Sequence, residues 1–278
     1  MNKQTFLTLL ATFVLLFSFT FSCSAKGKDK AKHVVFIGLD GWGAYSLPKA
    51  DMPNVKKLME DGSYTLKKRS ALPSSSAINW ASMFMGAGPE LHGYTEWGSK
   101  TPELPSRVLN KNGIFPTVFQ LLRDARPEAE IGCLYEWEGI KYLVDTLSLN
   151  YHYHVADCNK TPKELGNMSS SYIKEKHPAL VAICFDGPDH TGHTEGHDTP
   201  AYYEKLKELD SYVGQIVQAV KDAGMLDDTI FILTSDHGGI DKGHGGKTMQ
   251  EMETAFIISG KNIKKGLRFD DVSMMQYD

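Results

Sequence analysis

Apolar positions in this chain fall into two patterns. Continuous runs at residues 33–39, 180–185 and 229–234 have the length and β-branched content of strands buried on both faces, the habit of a parallel sheet. A second pattern recurs at three- and four-residue steps through Leu206, Leu209, Val213, Ile216, Val217 and Val220, and predicts a helix over residues 202–224. Because that helix lies between the second and third runs, strand, helix and strand form a right-handed parallel connection. Residues 52–62 read as a short helix with Pro53 near its start and Gly62 at its exit. Residues 65–72 and 131–137 read as strands, 115–122 as a helix, and 73–86 as a loop that becomes a buried helix. The predicted fold class is α/β, a mostly parallel central sheet flanked by helices. One catalytic domain is expected over residues 33–278. A small cap region is expected as an insertion around 97–176, where Pro, Asn, Tyr and Glu accumulate.

The chemistry gathers at the ends of the apolar runs. The first ends on Asp40, followed by glycines that permit a sharp turn. The second ends on Asp186 and continues through Asp189 and His193, and the third runs into Asp236 and His237, with His244 close behind. Parallel strands share one carboxyl edge, where open α/β folds bind ligands, so these groups are expected to meet. Carboxylates so crowded repel one another unless a cation lies among them, and mixed oxygen and imidazole donors suit zinc or another divalent first-row metal. Ser76, at the start of the buried helix, faces free backbone N–H groups and the positive end of the helix dipole, an arrangement that holds a phosphate or sulfate. Ser74 and Ser75 read as helix caps, Asp210 as a structural acceptor, and His92 as a partner for loop backbone. His197 reads as a solvated loop residue, because Gly192 and Gly196 argue against one helix presenting both His193 and His197. Trp42, Tyr94, Trp97 and Trp137 read as core or rim.

At 278 residues, with 41% hydrophobic and 23% charged, the chain can bury one substantial core. A net charge of -4 leaves no footprint for bulk nucleic acid, whereas a small anion could be drawn in by local cationic charge. Residues 1–25, a short cationic start and an apolar centre, read as a secretory signal, and 26–32 as a tether. Cleavage after Ala25 and lipidation of Cys23 are the two alternatives for that segment, and the apolar run falls short of the about 20 residues a membrane span needs. The expected destination is the periplasm or cell envelope, or secretion, with a membrane link only through a lipid on Cys23. Cys133 and Cys158 are the candidates for a disulfide, and Cys184 reads as a small buried apolar residue.

Asp40-Gly, Met52-Pro-Asn-Val, Pro73-Ser-Ser-Ser-Ala-Ile-Asn, Pro188-Asp-His-Thr-Gly-His, Thr234-Ser-Asp-His-Gly and His244-Gly-Gly together resemble the alkaline phosphatase superfamily. Within it they are most similar to the nucleotide pyrophosphatase and phosphodiesterase branch. The resemblance implies two divalent ions, usually zinc. Asp189, His193 and His244 would hold one, and Asp40, Asp236 and His237 the other, with Ser76 beside the second. It favours Asp189 over Asp186 as ligand. Three carboxylates and a serine alkoxide roughly balance two such ions. The resemblance further implies an in-line displacement in which Ser76 attacks phosphorus, with Asn79 and the Ala77 N–H donating to a non-bridging oxygen.

Departures from the family shape the expectation. The branch commonly uses threonine where Ser76 stands. The residues after Ser76 lack the Pro and Arg of sulfatases and the arginine with which phosphomonoesterases grip a terminal phosphate. The expectation is therefore an exported hydrolase of phosphodiester or pyrophosphate bonds acting on a small phosphate-ester or nucleotide-like substrate. A phosphomonoesterase or phosphotransferase, and a metal-binding protein without turnover, are the alternatives. Related sequences also lead one to expect a further helix beyond Asp278.

Overall fold

Strand order follows from the buried runs. In the computed structural model, which describes residues 30–156 and 161–278, eight strands form one sheet in the order β4-β3-β5-β1-β6-β7-β2-β8. The strands are β1 (His33–Leu39), β2 (Gly62–Arg69), β3 (Ile131–Tyr135), β4 (Tyr151–His154), β5 (Leu180–Phe185), β6 (Thr229–Thr234), β7 (Glu253–Gly260) and β8 (Leu267–Arg268). All neighbours pair in parallel except β7, which runs against both β6 and β2. The expected α/β class with a mostly parallel sheet is what forms. The expected signal and lipidated Cys23 lie outside the described residues, as does Cys158. Cys133 and Cys184 are buried free thiols. Among the described residues no helix is long and apolar enough to cross a membrane.

Alternation along β1 divides the core. Val35, Ile37 and Leu39 face helices α1 (Pro53–Glu60), α5 (Lys163–Lys176) and α7 (Pro200–Asp222). Val34 and Phe36 face the other side, against α2 (Ser76–Met85) and α4 (Val118–Ala125). Three short helices complete the set: α3 (Pro89–His92), α6 (Gly187–Glu195) and α8 (Met249–Met252). On α7 the predicted stripe is buried at Leu206, Leu209, Val213, Ile216 and Val220, and the Thr199 hydroxyl caps its start by accepting from the Tyr202 N–H.

The region around 97–176 is not a cap set on a finished domain. It supplies β3 and β4 to the sheet and α5 to one face. The short apolar runs there are those of the edge strand β4, of β3 beside it and of a half-buried helix, and their modest length hid their membership of the main sheet.

Asp210 reaches from α7 to the start of α1, where Met52 offers no side-chain cap. Its carboxylate accepts from the Asn54 N–H at 3.1 Å, the Asn54 side-chain amide at 2.8 Å and the Val55 N–H at 2.8 Å. Asp210→Ala leaves buried donors unpaired and is expected to lower stability by about 2–3 kcal/mol in urea unfolding. A change below about 0.5 kcal/mol would show that this cross-helix cap carries no weight.

Candidate functional site

Three adjacent strands, β5, β1 and β6, end side by side, and each delivers acidic groups to the same edge. Leu39 pairs in register with Phe185, and Gly38 with Thr234. The Asp40 N–H donates to the Phe185 carbonyl at 2.8 Å, so the chain leaves the sheet with Asp40 and Asp186 adjacent. Donor atoms of Asp40, Asp236 and His237 lie within 4.8 Å of one another, as do those of Asp189, His193 and His244. Asp40, Asp186 and Asp189 make a third such group, so the two trios adjoin. Asp186, weighed against Asp189 from sequence, thus stands beside it.

In the trio at Asp40, each carboxylate has one oxygen held and one free. Trp80 donates its Nε1–H to Asp40 Oδ2 at 2.9 Å, and the Gly41 N–H donates to Asp236 Oδ1 at 3.2 Å. Asp40 Oδ1 and Asp236 Oδ2 are buried without a hydrogen-bond partner. They lie 3.4 and 3.3 Å from His237 Nε2, and Ser76 Oγ lies 3.1 Å from the same nitrogen. These spacings are those of atoms sharing one tetrahedral zinc, whose bonds of about 2.0–2.2 Å put neighbouring ligands a little over about 3 Å apart. Trp80 reaches Asp40 only because β1 has glycine at position 38; a Cβ there would stand 2.2 Å from the indole.

The trio at Asp189 is built on α6, whose turn sets Asp189 and His193 four residues apart on one face, 3.1 Å from Oδ2 to Nε2. His244 returns from the loop after β6, its Nε2 3.7 Å from Asp189 Oδ1, which is buried and unpartnered. The rings of His237 and His244 stack at 3.8 Å, joining the trios.

All three histidines present the same nitrogen to the acids. Their Nδ1 atoms lie 2.8–3.0 Å from backbone carbonyls, His237 against Gly238, His193 against Lys242 and His244 against Ser74. A carbonyl can only accept, so Nδ1 carries hydrogen and a neutral ring turns its Nε2 lone pair toward the carboxylates. Lone pairs facing lone pairs require a proton or a cation between them, and imidazole fixed through Nδ1–H to a carbonyl is the ordinary support of a metal-ligating histidine. The donor set therefore fits two divalent ions.

Without a cation, the charges must be settled by protons. Burial pushes Asp40 well above the carboxylate range, and the negative Asp236 and Asp189 push the same way. Burial also raises Asp236, and burial with Asp189 alongside pushes Asp186 up to about 7. At Asp189 burial is the largest influence and raises the acid. The hydrogen bond to His193, together with the charges of His237, His244 and His193, outweighs it and holds the acid low, while the bond to Asp189 pushes His193 up to about 9.

Ser76 is the first residue of α2, reached through the loop after β2. Neither preceding serine caps the helix through its side chain, contrary to expectation. Ser75 occupies the cap position without a side-chain bond, and Ser74 instead donates to the Gly246 carbonyl at 2.7 Å, stitching the serine loop to the His244 loop. Asn79 and the Ala77 N–H, expected to donate to a non-bridging oxygen, both have partners within the protein. The Asn79 amide donates to the carbonyls of Ala71, Pro73 and Ser75 and accepts from the Ala71 N–H, so it braces the loop that carries Ser76. The Ala77 N–H donates to the Trp97 carbonyl at 3.1 Å.

His197 is buried, against the sequence reading. His92 does serve its own loop, accepting from the Tyr94 N–H at Nδ1. Trp42 and Tyr94 are core, whereas Trp97 is 68% exposed.

Trp80, Lys68 and Glu136 also belong to the site, although sequence reading assigned them nothing. Lys68, buried on β2, donates to the Ser235 carbonyl and to Gln276 Oε1, both at 2.7 Å, directly beneath Asp236. Glu136 follows β3, accepts the Asp186 N–H at 2.6 Å, and leaves Oε1 buried and unpartnered. The only sequence signal for Glu136 was an acid placed just after a strand.

Burial pushes Glu136 up to about 8 from an unfolded value near 4.5. The folded protein therefore binds more protons than the unfolded chain between those values. This contribution to stability is complete below pH 4.5 and is lost as pH rises through 8. In chelator, wild type is expected to lose stability across that window with a slope approaching about 1.4 kcal/mol per pH unit from this group. Glu136→Gln should flatten the slope in denaturant titrations at several pH values, and an unchanged slope would locate the proton uptake elsewhere.

The sequence matches the family described as Type I phosphodiesterase / nucleotide pyrophosphatase over residues 34–255. Bis(5'-adenosyl)-triphosphatase enpp4 of Mus musculus is 25% identical over 222 residues, 76% of this chain and 48% of that protein. GPI ethanolamine phosphate transferase 3 of Schizosaccharomyces pombe is 29% identical over 122 residues, 43% of this chain and 13% of that protein. The chain thus spans about half the length of the first of these relatives and less of the second. Among solved structures, inactive murine ectonucleotide pyrophosphatase / phosphodiesterase 5 in complex with AMP superposes with a TM-score of 0.69 at 14% identity, covering 90% of this chain and 92% of that one. With four-fifths of its length matched in one span, the chain belongs to the type I phosphodiesterase / nucleotide pyrophosphatase family.

Proposed function

We propose that this protein is an exported hydrolase of phosphodiester or pyrophosphate bonds, acting on a nucleotide-like substrate through a covalent intermediate on Ser76. The observation that carries the reading is the meeting of Ser76 Oγ, His237 Nε2 and the two unpartnered oxygens of Asp40 and Asp236 at one point. Family membership and the AMP-bound structural relative support the substrate class. Export rests on the reading of residues 1–25.

Asp40, Asp236 and His237, with Ser76 beside them, would hold one divalent ion, and Asp189, His193 and His244 the other, zinc being the metal that the donor set suits best. Bound there, the ions would neutralise the carboxylates and supply Lewis acidity to a phosphoryl group. Ser76 loses its proton to solvent, and its oxygen forms a bond to phosphorus as the bond to the leaving oxygen breaks. The leaving oxygen takes up a proton. Water then attacks the phosphoserine and restores the hydroxyl. The backbone around Ser76 is kept rigid by Asn79 and by Ser74, so the nucleophile is positioned before substrate arrives.

A phosphotransferase on the same groups is the second reading, favoured by the match to a GPI ethanolamine phosphate transferase. It differs only in that an alcohol rather than water accepts the group from Ser76.

Metal-loaded wild type is expected to hydrolyse bis(p-nitrophenyl) phosphate in preference to the monoester, and to lose that activity in chelator. Ser76→Ala should lower turnover by at least about a thousandfold while retaining the metal measured by elemental analysis. Unchanged turnover in the variant would remove Ser76 from the reaction. Appearance of an alkyl phosphate when alcohol is added would favour the transferase.

A further inference from the structure

We propose that Lys68 is a positioning residue for the reaction, its buried ammonium fixing the turn that carries Asp236 and His237 against Ser76; this rests on the two-metal reading above. The sheet makes a local exception to place the side chain. Thr65 pairs with Phe256 and Lys68 with Thr254, so Leu66 and Lys67 on β2 stand opposite Ala255 alone on β7. This bulge brings Lys68 to the same face as Thr65, whereas strict alternation over three residues would send it to the other. The donors set free at the bulge are taken up locally. The Leu66 N–H and the Thr65 hydroxyl donate to Asp270 Oδ1 at 3.1 and 2.9 Å, and the Lys67 N–H donates to Thr65 Oγ1 at 3.1 Å.

From β2 the side chain crosses β7, which lies between β2 and β6, and grips the residue just after β6. Its Nζ donates to the Ser235 carbonyl and to Gln276 Oε1, both at 2.7 Å, and the Gln276 amide donates back to that carbonyl at 3.2 Å. The Ser235 hydroxyl is held as well, accepting from the Trp42 N–H at 2.9 Å and donating to the His237 carbonyl at 2.7 Å. Every polar atom of the Ser235 side chain and its carbonyl is thus spoken for, and Asp236 and His237 follow directly. A neutral donor would satisfy that carbonyl at less cost, whereas a lysine that is 2% exposed gives up its hydration. Neither of its two partners is a carboxylate. Burial pushes the ammonium down to about 7, and the charge of Asp236 opposes that fall. The ammonium therefore acts on Asp236 across the turn, while Asp236 Oδ2 stays bare for an ion.

The test compares wild type with Lys68→Met, which keeps the length of the side chain and removes its charge and donors. Zinc constants are read by chelator competition, Co2+ ligation by visible absorption, unloaded stability by thermal melting in EDTA, and kcat and KM on bis(p-nitrophenyl) phosphate at saturating zinc. A positioning role predicts one of two ions bound about 10-fold more weakly or worse, an altered Co2+ spectrum, and kcat lowered about 10- to 100-fold with KM unchanged. It also predicts an EDTA melt no lower than that of wild type, because an apolar side chain of similar volume replaces a buried charge. A lower EDTA melt with wild-type ion constants, spectrum and kcat is the mark of a residue that only stabilises the fold, and would overturn the positioning role. Wild type holding two ions while the variant matches it throughout would overturn that role alone. Wild type that binds no metal would overturn it together with the two-metal reading. If wild type binds two ions yet hydrolyses no ester, the ion constants and the Co2+ spectrum still decide. Should Lys68→Met not fold, Lys68→Gln keeps a neutral donor: weaker ion binding with lower kcat supports the role of the ammonium, and wild-type values overturn it.

Discussion

Negative charge forced together in a dry place is the condition on which this site is built. Three neighbouring parallel strands end within a residue of each other in register, so Asp40, Asp186 and Asp236 cannot avoid sharing one edge. The helix leaving β5 then adds Asp189. Burial alone would keep such acids protonated, and their mutual repulsion adds to that tendency. The surrounding hydrogen bonds do not relieve it, because they hold one oxygen of each of Asp40 and Asp236 and leave the other bare. A scaffold that spends donors on orientation rather than on neutralisation is arranged for counter-charge to come from outside the chain.

Most of this was legible in the sequence because it depends on strand ends. Continuous apolar runs closed by Asp40, Asp186 and Asp236 fixed both the sheet and the edge where chemistry collects, and the stripe on α7 fixed the crossover. What stayed hidden depends on orientation after a turn. Asn79 lies one helical turn beyond Ser76, and only the coordinates reveal that its amide points back into the 71–75 loop. His197 follows a glycine and an exposed helix end, which looks like a solvated loop until the slot between Gly192 and Gly239 is seen. The strand β3 was legible over residues 131–137, whereas β4 was obscured because an edge strand of four residues leaves weak periodicity.

Each site residue is also tied to a distant part of the chain. His193 leans on the Lys242 carbonyl and His244 on that of Ser74, while Lys68 supports the turn before Asp236 from β2. The three loops that carry the nucleophile and the two trios are therefore braced by one another. Local opening of any one would disturb the other two, which gives the site the cooperativity of the surrounding core rather than that of separate surface loops.

The bond from Trp80 to Asp40 has an optical consequence. An indole whose Nε1–H points at a carboxylate emits light at a wavelength and intensity that depend on the charge it faces, and Trp80 is sealed from solvent. Whatever changes the ionisation of Asp40 is thus written into intrinsic fluorescence. The protein carries its own gauge of the electrostatic state of its interior, readable without any dye.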